Sequence, residues 1–108
     1  MRQSTASAQS PLPIAILISG RGSNMSVIAE RAAAHDIPVD VRVVVSDQPQ
    51  AAGLAIAASM NIPTLSISPR EHLDRASYEA ALARALDAYA PRLIVLAGFM
   101  RILSPTFV

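Results

Sequence analysis

The sequence has no cysteine, no lysine and no tryptophan, and only four glycines in 108 residues. Without cysteine there are no disulfides and no thiolate metal sites. The two histidines, His35 and His72, stand alone, without carboxylates at the spacing that a zinc site requires, so no metal is expected. Without lysine the chain cannot supply the G-K-[ST] ending of a triphosphate-binding loop. Charge of one sign is also missing: nine basic residues, all arginine, are scattered among eight acids for a net charge of +1, which gives no basic surface for nucleic acid. No apolar run approaches the roughly 20 residues needed to span a bilayer, so no membrane partner is expected. Residues 1–13, MRQSTASAQSPLP, hold one arginine, small polar residues and no apolar centre. That is not a secretory signal, and the segment is expected to be a flexible extension ahead of one domain over residues 14–108. A reducing, cytoplasmic setting fits the absence of cysteine.

What remains is 52% hydrophobic and 16% charged, ample for a buried core. From Ile14 onward, short β-rich runs alternate with longer alanine-rich ones, the pattern of βαβ units on a parallel sheet. The strands are expected at IAILIS (14–19), VRVVVS (41–46), TLSIS (64–68) and RLIVLAG (92–98). The first has no polar alternation, as befits a strand covered on both faces. Helices are expected from about Asn24 to Ala34, with Met25, Ile28, Ala29 and Ala32 on one face, and from about Gln50 to Met60. The second of these is almost wholly small or apolar and should lie between neighbours, ending at Asn61 in a left-handed conformation before Pro63. A third, over residues 76–90, should bury Tyr78, Leu82, Ala85 and Tyr89, after a polar loop PREHLDR. Ser104-Pro105 reads as the opening of a further helix, about one turn before the last residue. The fold class is therefore α/β, a doubly wound, Rossmann-like, mostly parallel sheet, truncated after about four strands.

In such sheets ligands bind beyond the carboxyl ends of the strands, and the first strand-to-helix turn is the usual anion site. SGRGSN (19–24) occupies that turn. Gly20 and Gly22 allow close backbone approach, the following helix presents its amides, Ser23 adds a hydroxyl, and Asn24 is a cap or a ligand donor. Phosphate or carboxylate binding is implied. The competing reading is that the glycines only make a tight turn while Ser23 and Asn24 only cap the helix. The dinucleotide pattern G-x-G-x-x-G would need glycine where Met25 stands, so a small phosphorylated metabolite remains in preference to a nucleotide. Asp47, at the end of the second strand, is read as a turn former, and His35 as surface decoration after the first helix.

LAGFMRILSP (96–105) is the second unusual stretch: Phe99, Met100, Ile102 and Leu103 are large and apolar where a loop is normally polar, and Arg101 is the one charge among them. It could form an apolar slot for a flat ring, or equally pack beneath further chain. Taken with ILISGRGSNM near the start and DRASYE between, YAPRLIVLAGFMRILSPTFV closely resembles the glycinamide ribonucleotide formyltransferases, folate-dependent transferases of purine synthesis. The resemblance runs in order across residues 14–108 and concerns the N-terminal half of such an enzyme.

The resemblance implies transfer of a formyl group from 10-formyltetrahydrofolate to the amine of glycinamide ribonucleotide, through a tetrahedral intermediate and without metal. It places the substrate phosphate at Gly22, Ser23 and Asn24. It places the formyl donor against Met100, Arg101, Ile102 and Leu103, with Arg75 as a further folate-site arginine; a cation near a helix N-terminus gains nothing from the dipole, which favours a ligand role for Arg75. The family's catalytic asparagine, its histidine in an HPS-like motif and a later aspartate all follow the stretch at which this sequence stops. No catalytic residue is expected within it, and the 108 residues alone are expected to be inactive. Methionyl-tRNA formyltransferases and formyltetrahydrofolate deformylases share the fold, but the GSN turn speaks against both. A non-catalytic phosphometabolite-binding module is the other class of reading, and a nicotinamide-dependent dehydrogenase half is disfavoured by Met25.

Overall fold

A computed structural model describes residues 11–68 and 73–97. Four strands, β1 (Leu12–Ile18), β2 (Val39–Ser46), β3 (Thr64–Ser66) and β4 (Leu93–Leu96), alternate with three helices, α1 (Ser23–Ala33), α2 (Ala52–Ser59) and α3 (Arg75–Asp87). All strand pairs are parallel, in the order β3-β2-β1-β4. The chain therefore works outward from β1 to β2 and β3, then returns across the sheet to place β4 on β1's other side. That reversal makes the β1/β4 boundary the topological switch point, where the carboxyl ends of adjacent strands open a crevice.

The uninterrupted apolar run of β1 is explained by coverage of both its faces. Ile14, Ile16 and Ile18 pack with Val44 of β2 and with Met25, Ala29 and Ala57 of α1 and α2. Ala15 and Leu17 pack on the other face with Val43, Val45 and Tyr78, Leu82 and Leu86 of α3. Residues 14–18 are all at most 1% exposed, and each isoleucine or leucine so buried contributes about 1.5–3 kcal/mol. A register shift between Ile14 and Ala15 leaves Arg42 as the extra residue of β2, a local bulge. Its guanidinium pairs with Asp40 and reaches the Tyr89 carbonyl.

Several boundaries differ from the sequence expectation. β1 begins at Leu12, and β3 is only three residues long. α2 starts at Ala52 and is not enclosed: Ala52, Ala55 and Ala58 are exposed while Gly53 and Ala57 are buried. Alanine carries too little apolar surface to mark which side of a helix is covered. α3 ends at Asp87, short of the expected residue 90; its buried residues are Tyr78, Glu79, Leu82 and Leu86, Ala85 is only half-buried, and Tyr89 is half-buried beyond the helix end. Leucines four apart, larger than Ala85, set the seam. The α1 stripe is as expected, with Met25 and Ala29 buried and Ile28 and Ala32 beside them.

Both α1 and α2 end in the two-bond arrangement that turns a helix into the next strand. Asp36 N–H donates to Arg31 O and His35 N–H to Ala32 O; Ile62 N–H donates to Ala57 O and Asn61 N–H to Ala58 O. His35 and Asn61 hold the left-handed position, each with φ 63°, so Asn61 does what its placement before Pro63 suggested.

Candidate anion-binding site at the strand switch point

Ser19 to Asn24 leave the end of β1, pass through the turn and enter α1. Together with Ala97, just beyond β4, they line an open cavity of about 330 Å³ at the carboxyl edge of the sheet. It lies at the switch point that the topology defines. Sequence reasoning had put Gly22, Ser23 and Asn24 in this turn, and all three line the cavity.

The turn is built differently from the simple cap reading. Gly22 itself is the N-cap of α1, at φ 74° and ψ 25°, and Ser23 and Asn24 are the first residues inside the helix, both exposed. Neither side chain caps the helix, so the cap-only role for them is set aside. Gly22 accepts the first helical bond from Ser26 N–H at 2.8 Å, and the Ser26 hydroxyl donates to Ser23 O at 2.9 Å. The first turn contains no acidic residue. The early amides of α1 thus carry their share of the helix dipole without an internal carboxylate to neutralise it, and Arg21 adds a positive side chain at the same rim. Buried Met25 anchors the helix start. The arrangement suits an anion held by backbone amides.

The two glycines are not equivalent. A Cβ on Gly22 would stand 2.6 Å from the Gly53 Cα, besides facing a left-handed φ, whereas a Cβ on Gly20 would meet nothing within 4 Å. Only Gly22 is required by the protein's own packing. Gly53, in the first turn of α2, is the residue that sequence reasoning missed; a lone glycine in an alanine-rich helix was its signal. Arg21 and Ala97 also escaped notice, the first because it stood between the glycines that drew attention.

Arg75 lies outside this cavity. It is the first residue of α3 rather than part of the preceding loop, with its guanidinium largely exposed and 4.0 Å from the buried carboxylate of Glu79 one turn on. Met100, Arg101, Ile102 and Leu103, and also His72, lie outside the described residues. His35 is exposed, as expected. Asp47, expected as a turn former, is buried directly after β2. Among the described residues no three potential metal ligands cluster, and no helix is long and apolar enough to cross a membrane.

A doubly wound parallel sheet, with a helix start beside the crevice at its switch point, defines a Rossmann-like α/β domain. The formyl transferase family model matches residues 12–108, and the chain belongs to that family. It is 42% identical over 95 residues to phosphoribosylglycinamide formyltransferase of Escherichia coli K12, spanning 88% of this chain and 45% of that protein. It is 45% identical over 97 residues to the trifunctional purine biosynthetic protein adenosine-3 of Drosophila melanogaster, again over 88% of this chain but 7% of that much longer one. Among solved structures, phosphoribosylglycinamide formyltransferase from Coxiella burnetii superposes with TM-score 0.84 at 41% identity, covering 90% of this chain and 46% of that one. Glycinamide ribonucleotide transformylase 1 from Symbiobacterium toebii superposes with TM-score 0.87 at 36% identity, covering 91% and 46%. The chain thus corresponds to the N-terminal part of a full-length phosphoribosylglycinamide formyltransferase and spans less than half the length of each of these four proteins.

Proposed function

We propose that this chain carries the phosphate half, and part of the formyl-donor half, of a site that transfers a formyl group to the amine of glycinamide ribonucleotide in purine biosynthesis. The observation that carries the proposal is the acid-free start of α1, capped by left-handed Gly22 and opening into the cavity at the β1/β4 boundary. In this reading the amides and side chains of Gly22, Ser23 and Asn24 hold the ribonucleotide phosphate, and Arg21 raises the local anion concentration. Fixing the phosphate fixes where the amine at the other end of the substrate can reach, which is how binding remote from the chemistry lowers its barrier. 10-Formyltetrahydrofolate supplies the formyl carbon, held by Arg75 and by Met100, Arg101, Ile102 and Leu103. No metal is called for, and a cytoplasmic setting accords with the absence of cysteine.

Attack of an amine on a formyl carbon requires a donor to the oxyanion and a group to move the proton. The only histidines, His35 and His72, have neither an HPS-like context nor a neighbouring asparagine, so the 108 residues are proposed to bind without turning over. The test compares this chain with a version extended by the downstream coding sequence. Calorimetry should show glycinamide ribonucleotide binding to both, and formyl transfer should appear only in the extended form. Absence of binding to both would sink the substrate assignment, and turnover by the short chain would sink the division of labour.

A further inference from the structure

We infer that Gly53 is a positioning residue for the anion turn: the start of α2 is the backstop that sets where Gly20 and Gly22 stand. The inference rests on the phosphate-binding reading of that turn, and it concerns a residue outside the cavity lining. Two contacts join the elements. The Gly53 amide donates to the Gly20 carbonyl at 3.0 Å, which ties the middle of the turn to a different helix. The absence of a side chain on Gly53 lets the two backbones close, because a Cβ there would lie 3.0 Å from Gly22 Cα and 3.2 Å from Gly20 O. The fit is reciprocal, since a Cβ on Gly22 would in turn stand 2.6 Å from Gly53 Cα. Gly53 and Gly22 are both buried, so a methyl added at 53 meets backbone and not solvent, and the turn, which borders the open cavity, is the part with room to shift.

The third neighbour of a Cβ on Gly53 differs in kind. Ile18 Cδ1 would be 2.4 Å away, but it is the far end of a flexible side chain, whereas Gly22 and Gly20 present backbone. An alanine at 53 therefore displaces two things that can be separated: a core methyl, which costs stability, and the turn, which costs ligand geometry. Valine at 18 lacks Cδ1 and removes the first without touching the second. At 3.0 and 3.2 Å the Gly22 Cα and the Gly20 carbonyl have to give by only a fraction of an ångström, less than the misplacement of about 1 Å that costs about a hundredfold in rate, so a loss of affinity of about severalfold is expected when the turn moves.

The test uses Gly53→Ala, the double variant Gly53→Ala/Ile18→Val, and Ile18→Val alone, with glycinamide ribonucleotide as probe. Thermal melts read stability, calorimetry reads affinity, and ligand-free amide spectra read the conformation of residues 20–24. The expected result is that Ile18→Val restores much of the melting temperature lost in Gly53→Ala but leaves affinity low, with the Gly20–Asn24 amides already shifted before ligand is added. Recovery of affinity together with stability would show that Gly53 serves core packing only, and would overturn the inference. Should the alanine variants not fold, the wild-type chain decides: on titration the Gly53 amide should move with those of Gly20 to Asn24 while Ala55 and Ala58 stay still, and a silent Gly53 overturns the inference. If the wild-type turn amides do not respond at all, the phosphate reading itself is lost. The ligand-free shifts in Gly53→Ala then still report whether α2 positions the turn.

Discussion

Gly22 and Gly20 separate two reasons for a glycine in a turn. Gly22→Ala forces a left-handed backbone on an L-residue, at about 1–2 kcal/mol, and drives a methyl into the Gly53 backbone. Its melting temperature should fall by on the order of 10 °C. Gly20→Ala should melt as wild type, because its methyl meets nothing, and any loss it shows should appear only in ligand affinity. A large drop in melting temperature for Gly20→Ala would contradict the open space around it. Ala90 offers the opposite case, a residue with φ 50° where a glycine would be at ease. Ala90→Gly should raise the melting temperature by a few degrees, the relief of left-handed strain exceeding the extra freedom of the unfolded chain. The turn at 19–24 was legible in sequence because glycine, serine and asparagine between an apolar strand and a helix have few other uses. Which glycine mattered was not, since that depends on a helix thirty residues away in the chain.

Helices carry their start and stop signals locally, and these signals account for most of what sequence reading recovered. Asn61 before Pro63 marked the end of α2, and the periodic stripe of α1 survived intact. The start of α3 is one residue earlier than expected because Asp74 caps it, its carboxylate accepting from Ser77 N–H at 2.8 Å. Those bonds to Ser77, backbone first and side chain second, hold the Asp74 carboxyl below the usual aspartate range. A lowered folded value means the cap contributes fully above the unfolded-state pKa and is lost as pH falls through the folded one. Acid titration of stability should therefore be shallower in Asp74→Asn, which still caps but does not ionise, than in the wild type. An identical acid slope in the two proteins would show that the cap does not act through its charge. The α3 stripe was misread in part: the larger Leu86 takes the place expected for Ala85, Glu79 is buried beside Tyr78 and Leu82, and Tyr89 lies past the end of the helix, half-buried against the same cluster.

At the scale of the molecule, coverage is lopsided. β1 is buried on both faces, whereas β4, of nearly the same composition, exposes Leu93 by 48%, Ile94 by 37% and Leu96 by 53%. The register explains why both of its faces are affected. Leu93 pairs with Ile14 on the α1 and α2 side, and Ile94 and Leu96 pair with Ala15 and Leu17 on the α3 side. Cover on β4 is only partial: Val95 packs half-buried against the cluster that holds Met25 and Ala29 of α1, Leu93, Ile94 and Leu96 stay exposed, and β1 is its one strand partner among the described residues. From sequence, LIVL and IAILI are the same kind of segment, because a short apolar run records that burial is wanted and not whether it is supplied. A parallel edge strand with apolar side chains on both faces is a template for association. The 108-residue chain should accordingly show concentration-dependent association in sedimentation velocity. Ile94→Lys and Leu96→Lys should suppress it while leaving the melting temperature within a few degrees, because neither side chain is enclosed. A chain that stays monomeric at high concentration, or lysine variants that unfold, would show that β4 is covered after all. The same substitutions in an extended chain give the complementary reading. If added sequence packs over β4, as the greater length of the relatives allows, lysine at 94 or 96 becomes a buried unpaired charge and should be strongly destabilising there.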